Sequence, residues 1–113
     1  MPHLEISKQD QQRIEAKRFL AMQKAEEVCL YLCSLGAKEA FIFGSLVSGN
    51  FWEHSDIDIG VFELPEKYIY RVESKIEDIV GGMEFDLVYM EYAPAYLVQR
   101  IRKTGKRYAC DFS

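Results

Sequence analysis

Two aspartates alternate with two isoleucines in the run Asp56, Ile57, Asp58, Ile59, and a third aspartate, Asp86, stands within the apolar run MEFDLVYM that ends at Met90. Alternation at period two sends successive side chains to opposite faces of a strand. Ile57 and Ile59 can therefore enter a core while Asp56 and Asp58 share the other face. Carboxylates two residues apart on a strand stand about 6–7 Å apart at the backbone, close enough to hold one or two divalent cations between them. An aspartate in a strand as apolar as that of Asp86 is costly to bury unless it is paired or bound to a cation. The metal already suggested by Asp56 and Asp58 is its simplest partner. The result is a three-carboxylate, oxygen-only ligand set suited to magnesium.

Gly44 and Ser45 supply a second kind of chemistry. They follow the apolar run Ala40 to Phe43 and read as a strand end turning into a short helix. A glycine there lets a ligand approach the backbone, and Ser45 with the free amides behind it can bind a phosphate. Phe51 and Trp52 follow in the next loop, either to pack under the site or to stack on a nucleotide base. His54, isolated in the same loop, is read as a surface or hydrogen-bonding residue, with a metal or phosphate role as the alternative.

The elements that must position these groups follow from apolar periodicity and from Gly and Pro punctuation. Ser7 to about Leu35 holds no Pro or Gly and places Ala21, Ala25, Val28, Cys29 and Leu32 on one stripe, which predicts a long helix. Ser7 serves as its N-cap, Asp10 suits its first turn, and Gly36 stands where a C-terminal cap belongs. Through Arg18 the only strong apolar residue is Ile14, so that part projects beyond the core, either as a solvated helix end or as a contact with a second subunit or partner protein. Ala40 to Phe43 and Ile57 to Phe62 read as strands, with a helical turn through Ser48 between them that Gly49 and Asn50 end.

Pro65 then opens a helix with Ile69, Val72, Ile76, Ile79 and Val80 inward; Arg71 and Lys75 lie on its polar side, and Gly81 and Gly82 stop it. Met83 to Met90 is the third strand. Pro94 starts a last helix with Leu97, Val98 and Ile101 inward and Gly105 as its stop. Arg100, Arg102, Lys103, Lys106 and Arg107 form the one basic cluster, which either complements the helix dipole or meets an acidic or phosphate-bearing partner. The stretch from Tyr108 to Ser113 is a short strand or a frayed tail.

A chain of 113 residues with 49% hydrophobic residues is expected to form one domain, residues 1–113, with its own core. The net charge of −4 gives no global attraction to nucleic acid or an anionic membrane, so a phosphate-bearing ligand must be held locally. No apolar run reaches the ~20 residues a membrane span needs, and the start MPHLEISKQDQQR is too polar for a signal peptide, which predicts a cytoplasmic protein. Cys29 and Cys33 fall at i, i+4 spacing, and the odd total of 3 cysteines argues against a disulfide framework; all are expected to be small buried apolar residues.

The ordered set of GS, then SDID after a loop containing a glycine, then FDLV on a later strand resembles the minimal nucleotidyltransferases of the DNA polymerase beta superfamily. The resemblance spans about residues 20–108 and includes the order of helices and strands. It implies an α/β (α+β) fold, a mixed sheet with helices packed on one face, and an NTP, ATP foremost, with magnesium at the exposed face. It also implies that Asp56 and Asp58 bind the metals, that Asp86 completes the second metal site and helps activate the attacking hydroxyl, and that Gly44 and Ser45 cradle the β and γ phosphates. Ser55, which heads SDID, joins them as a nucleotide-binding residue.

Relatives commonly carry arginines in the loop after GS. Here that loop reads LVSGNFWEH and has no basic residue, so that Arg71, Lys75 or a partner's side chain would have to substitute. Small stand-alone members are typically antitoxins of HEPN-domain toxins, whose tyrosine they adenylylate. The resemblance therefore implies NMP transfer to a partner protein's hydroxyl, with a HEPN-type partner or a homo-oligomer as the assembly. The alternative is a binding module that neutralises its partner by occlusion. A nucleic-acid polymerase or tRNA-modifying enzyme fits the acidic charge poorly.

Overall fold

The computed structural model describes residues 7–51 and 55–110, so Trp52 and His54 lie outside the described residues. Four helices and four strands follow in the order α1 (Lys8–Ser34), β1 (Glu39–Phe43), α2 (Ser45–Ser48), β2 (Ile57–Phe62), α3 (Ile69–Val80), β3 (Phe85–Tyr89), α4 (Ala95–Thr104) and β4 (Lys106–Ala109). The strands form one mixed sheet in the order β3-β2-β1-β4. β1 pairs antiparallel with both β2 and β4, whereas β2 and β3, joined through α3, run parallel.

Local chemistry explains the boundaries. The Ser7 side chain accepts a hydrogen bond from the Asp10 backbone N–H at 3.1 Å, which satisfies one of the free donors at the start of α1. Leu35 caps its far end and Gly36, with φ 101°, lets the chain turn into β1. The buried stripe of α1 is Ala21, Ala25, Val28, Cys29, Leu32 and Cys33. Before Ala21, Ile14 is one of the few partly buried side chains, and the exposed ion pairs Arg13–Asp10 and Arg18–Glu15 are of the kind that adds little stability. Pro65 leads into a 3-10 turn, Glu66–Tyr68, before α3 proper. Among the described residues no helix is long and apolar enough to cross a membrane.

The sheet is covered on both faces. Ala40, Ile42, Ile57, Ile59, Val61 and Leu87 pack against α1 and α3, and Phe51 joins this core, which favours packing over stacking for that residue. On the opposite face Phe41 and Met90 pack with Ile101 of α4, and Leu97, Val98, Phe62 and Val88 surround them. The expectation of helices on one face thus holds for α1 and α3, while α4 occupies the other. Gly60 lies under that packing, where a Cβ would meet Met90 Sδ at 3.3 Å and Ile101 Cγ2 at 3.4 Å, so that these side chains would have to give slightly.

The basic cluster divides between several tasks. Glu39 is buried, and its carboxylate accepts hydrogen bonds from Arg102 Nη1 at 3.1 and 3.3 Å and from Arg107 Nε. Burial pushes the Glu39 carboxyl up, but the bonds from Arg107 and Arg102 outweigh it and hold the pKa below the usual 4.5. The Arg102 guanidinium lies 5.4 Å from the Phe41 ring centroid and 5.1 Å from that of Phe62. Lys106 reaches Glu26 of α1 at 3.7 Å.

The cysteines correct the sequence reading. Cys33 and Cys110 are joined in a disulfide, Cα–Cα 4.9 Å, that ties the last turn of α1 to the end of β4. Their separation of 77 residues is invisible to local spacing, and pairing β4 beside β1 is what brings them together. Cys33 is buried as expected but bonded, whereas Cys29 is both buried and free, and burial followed by the Glu26 charge pushes its thiol up to about 12.

Candidate active site

β2 and β3 carry the three aspartates. Asp58 and Asp86 are directly paired in the parallel ladder, and Phe43, the last residue of β1, is the register partner of Asp58 on the other side. Alternation puts Asp58 and Asp86 on the face that α4 only partly covers. Asp56 precedes β2 and is exposed, as is Asp86, whereas Asp58 is half-buried. Burial, then the charges of Asp86 and Asp56, push the Asp58 carboxyl from 3.8 up to about 6.

Gly44 shapes the floor beside Asp58. Its φ of 76° and ψ of −146° suit glycine, and a Cβ at this position would run into the Asp58 carboxylate, whose Cγ would lie only 3.0 Å away. Gly44, Ser45, Ser48 and Asp58 line a cleft of about 540 Å³ together with Arg100 and Thr104 of α4. Asp56 and Asp86 line a neighbouring cleft of about 590 Å³, with Glu73, Glu77 and Glu84 around it. Ser55 lies in neither. It lines a third hollow of about 290 Å³ with Asp56, Lys17 and Phe51.

The structure thus brings Gly44, Ser45 and Asp58 into one cleft, places Asp56 and Asp86 at its acidic neighbour, and sets Ser55 apart. Arg71 and Lys75 are exposed on α3, and neither lines these clefts. As the side chains stand, no three His, Cys, Asp or Glu residues among those described converge closely enough to hold a metal ion. The donor set still fits a hard divalent cation: the groups are all carboxylates, and the half-buried Asp58 sits beside two like charges that a cation would offset.

The family model for polymerase beta nucleotidyltransferases matches residues 35–111. The chain belongs to this nucleotidyltransferase family. The matched span runs from the end of α1 through β4 and holds every aspartate of the site together with Gly44 and Ser45. A search of curated proteins gives no match.

Solved structures share the nucleotidyltransferase fold. A toxin–antitoxin crystal structure with AMP-PNP matches at a TM-score of 0.58 and 24% identity, covering 75% of this chain and 69% of that one. A mutant of the MntA–HpeT toxin–antitoxin matches at 0.57 and 22%, with the same coverage of 75% and 69%. A candidate minimal nucleotidyltransferase matches at 0.53 and 20%, covering 89% of this chain and 98% of the other.

Sequence reasoning placed Arg100 in a basic cluster with a phosphate-bearing partner as one alternative, but did not bring it beside Gly44 and Asp58, whose cleft it lines. Helical spacing held the signal, since Leu97, Val98 and Ile101 point inward and so divide Arg100 and Thr104 from Arg102.

Proposed function

We propose that this nucleotidyltransferase moves a nucleoside monophosphate, AMP from ATP, onto a hydroxyl of a partner protein and releases pyrophosphate. The observation that carries the reading is the pairing of Asp58 with Asp86 next to the Gly44–Ser45 cleft. Asp56, Asp58 and Asp86 would hold Mg2+. Once bound, that ion supplies neutralisation of the triphosphate and stabilisation of the entering and leaving oxygens.

The chain's own groups do the positioning. Gly44 leaves room for phosphate oxygens against the backbone, and the Ser45 hydroxyl and amides receive them. Asp86, exposed at the edge strand, is accessible to an acceptor and takes the hydroxyl proton on a carboxylate oxygen as the acceptor oxygen bonds to the α phosphorus. The bond from that phosphorus to its bridging oxygen breaks, and pyrophosphate carries the electron pair away. In a reaction of this kind rate comes from positioning and charge stabilisation, so no nucleophilic side chain is needed.

The acceptor we propose is a tyrosine of a HEPN-type toxin. Support comes from the toxin–antitoxin structures that share this fold, one of them with AMP-PNP. Incubation with ATP, magnesium and the product of the neighbouring gene, followed by intact mass, should show additions of AMP that Asp56→Ala abolishes. No addition to the partner would sink this reading.

A second reading, neutralisation by occlusion, draws on the exposed Phe19, Leu20 and Leu30 of α1. It predicts that Asp58→Asn still neutralises the partner.

A further inference from the structure

The cleft beside Gly44 and Asp58 has a basic wall that does not come from the loop after Ser45. Arg100 and Thr104, one turn apart on α4, line the same cleft of about 540 Å³ as Gly44 and Asp58. The fold sets where Arg100 stands. Ile101 is fully buried against Phe41 and Met90, Thr104 Oγ1 donates to the Arg100 carbonyl at 2.7 Å, and the Gly105 N–H closes the helix on the Ile101 carbonyl at 2.8 Å. Arg102, on the far side of Ile101, is committed to Glu39.

Arg100 has no such commitment. Its guanidinium makes no ion pair or hydrogen bond with a described residue. A guanidinium fork in the same cleft as serine hydroxyls and an open glycine backbone suits a phosphate, which it can contact through two parallel N–H donors. From Leu46 to Phe51 the loop offers no cation that would do this instead.

We infer that Arg100 is the phosphate clamp of this active site, contacting the β and γ phosphates of the incoming NTP from α4 in place of a loop arginine. The inference rests on the nucleotidyltransferase reading above. It requires that the cost of losing Arg100 depend on the number of phosphates in the ligand.

Calorimetric titrations of ATP, AMP and inorganic tripolyphosphate, each with magnesium, would test this on wild type, Arg100→Ala, Arg100→Lys and Lys103→Ala. Lys103 is exposed on the same helix and does not line the cleft, so its removal controls for charge alone. Arg100→Ala should weaken ATP and tripolyphosphate by about tenfold or more. It should leave AMP within about twofold, with part of the loss restored in Arg100→Lys and none seen in Lys103→Ala. ATP affinity unchanged in Arg100→Ala overturns the assignment and leaves the nucleotide reading standing. An equal loss in Lys103→Ala overturns it as a general charge effect. No binding of ATP or tripolyphosphate by wild type overturns both.

Discussion

Asp58 and Asp86 stand opposite each other across the parallel β2–β3 ladder, and the Asp86 charge adds to burial in pushing the Asp58 carboxyl up. Like charges held in register on neighbouring strands oppose folding. A site assembled this way is less stable than its neutral counterpart until a cation arrives.

Asp58→Asn should consequently separate stability from function. In metal-free buffer at pH 7 the variant should melt a few degrees above wild type, since relief of about 1 kcal/mol shifts a small domain by about 4–8 °C. AMP transfer should fall by about 100-fold or more, the scale of losing a catalytic charge. Melting curves with and without magnesium, beside a transfer assay, check both halves.

Gly44→Ala should damage the cleft beside Asp58 and the fold together. The new methyl group would have to displace the Asp58 carboxylate, and the φ of 76° is strained for alanine. A loss of about 1–3 kcal/mol of stability is expected, measured by urea unfolding, with ATP binding weakened by about tenfold or more. Gly49→Ala is the control: its φ is also positive, but nothing lies within 4 Å of its Cβ position, so it should lose stability without the same loss of ATP binding.

Glu39 should set part of the acid sensitivity of the fold. Its folded pKa lies below the ordinary 4.5, so its contribution is present above that pH and is lost as pH falls through the lower folded value. Glu39→Gln should be less stable by about 2 kcal/mol at pH 7, the scale of hydrogen bonds to charged groups, and should lose less on acidification than wild type. Denaturant midpoints from pH 7 down to about pH 3 give the comparison.

Thiol counting should report the cysteine arrangement directly. The native protein should take up no iodoacetamide: Cys29 is buried with its thiol pushed up to about 12, and Cys33 and Cys110 are bonded. Unfolding without reductant should expose one thiol, and unfolding with reductant all 3. Cys33→Ser should lose about 2–4 kcal/mol of stability under oxidising conditions.

Where local signals were strong, sequence and structure agree closely. β2 has the boundaries that alternation and Gly60–Phe62 implied, and the Ser7 cap, the Gly36 turn, the stop after Val80 and the Pro94 start all stand where side-chain chemistry placed them. The strand alternation also foretold that Asp58 and Asp86 would share a face. What depended on distant partners was not legible. The Cys33–Cys110 bond, the Glu39 clamp and the place of α4 across the sheet all follow from β4 returning beside β1, a pairing that the short run KRYA does not announce. The place of Arg100 beside Gly44 and Asp58 was hidden for the same reason, since it depends on which face α4 covers.

The Cys33–Cys110 bond also makes the chain a covalent ring. The 77-residue span it closes contains the whole sheet and all three aspartates, leaving α1 as a tail attached at the ring's edge. A single cut by a protease in the loop between α2 and β2 would open the ring without releasing either piece, so the two fragments would part only after reduction.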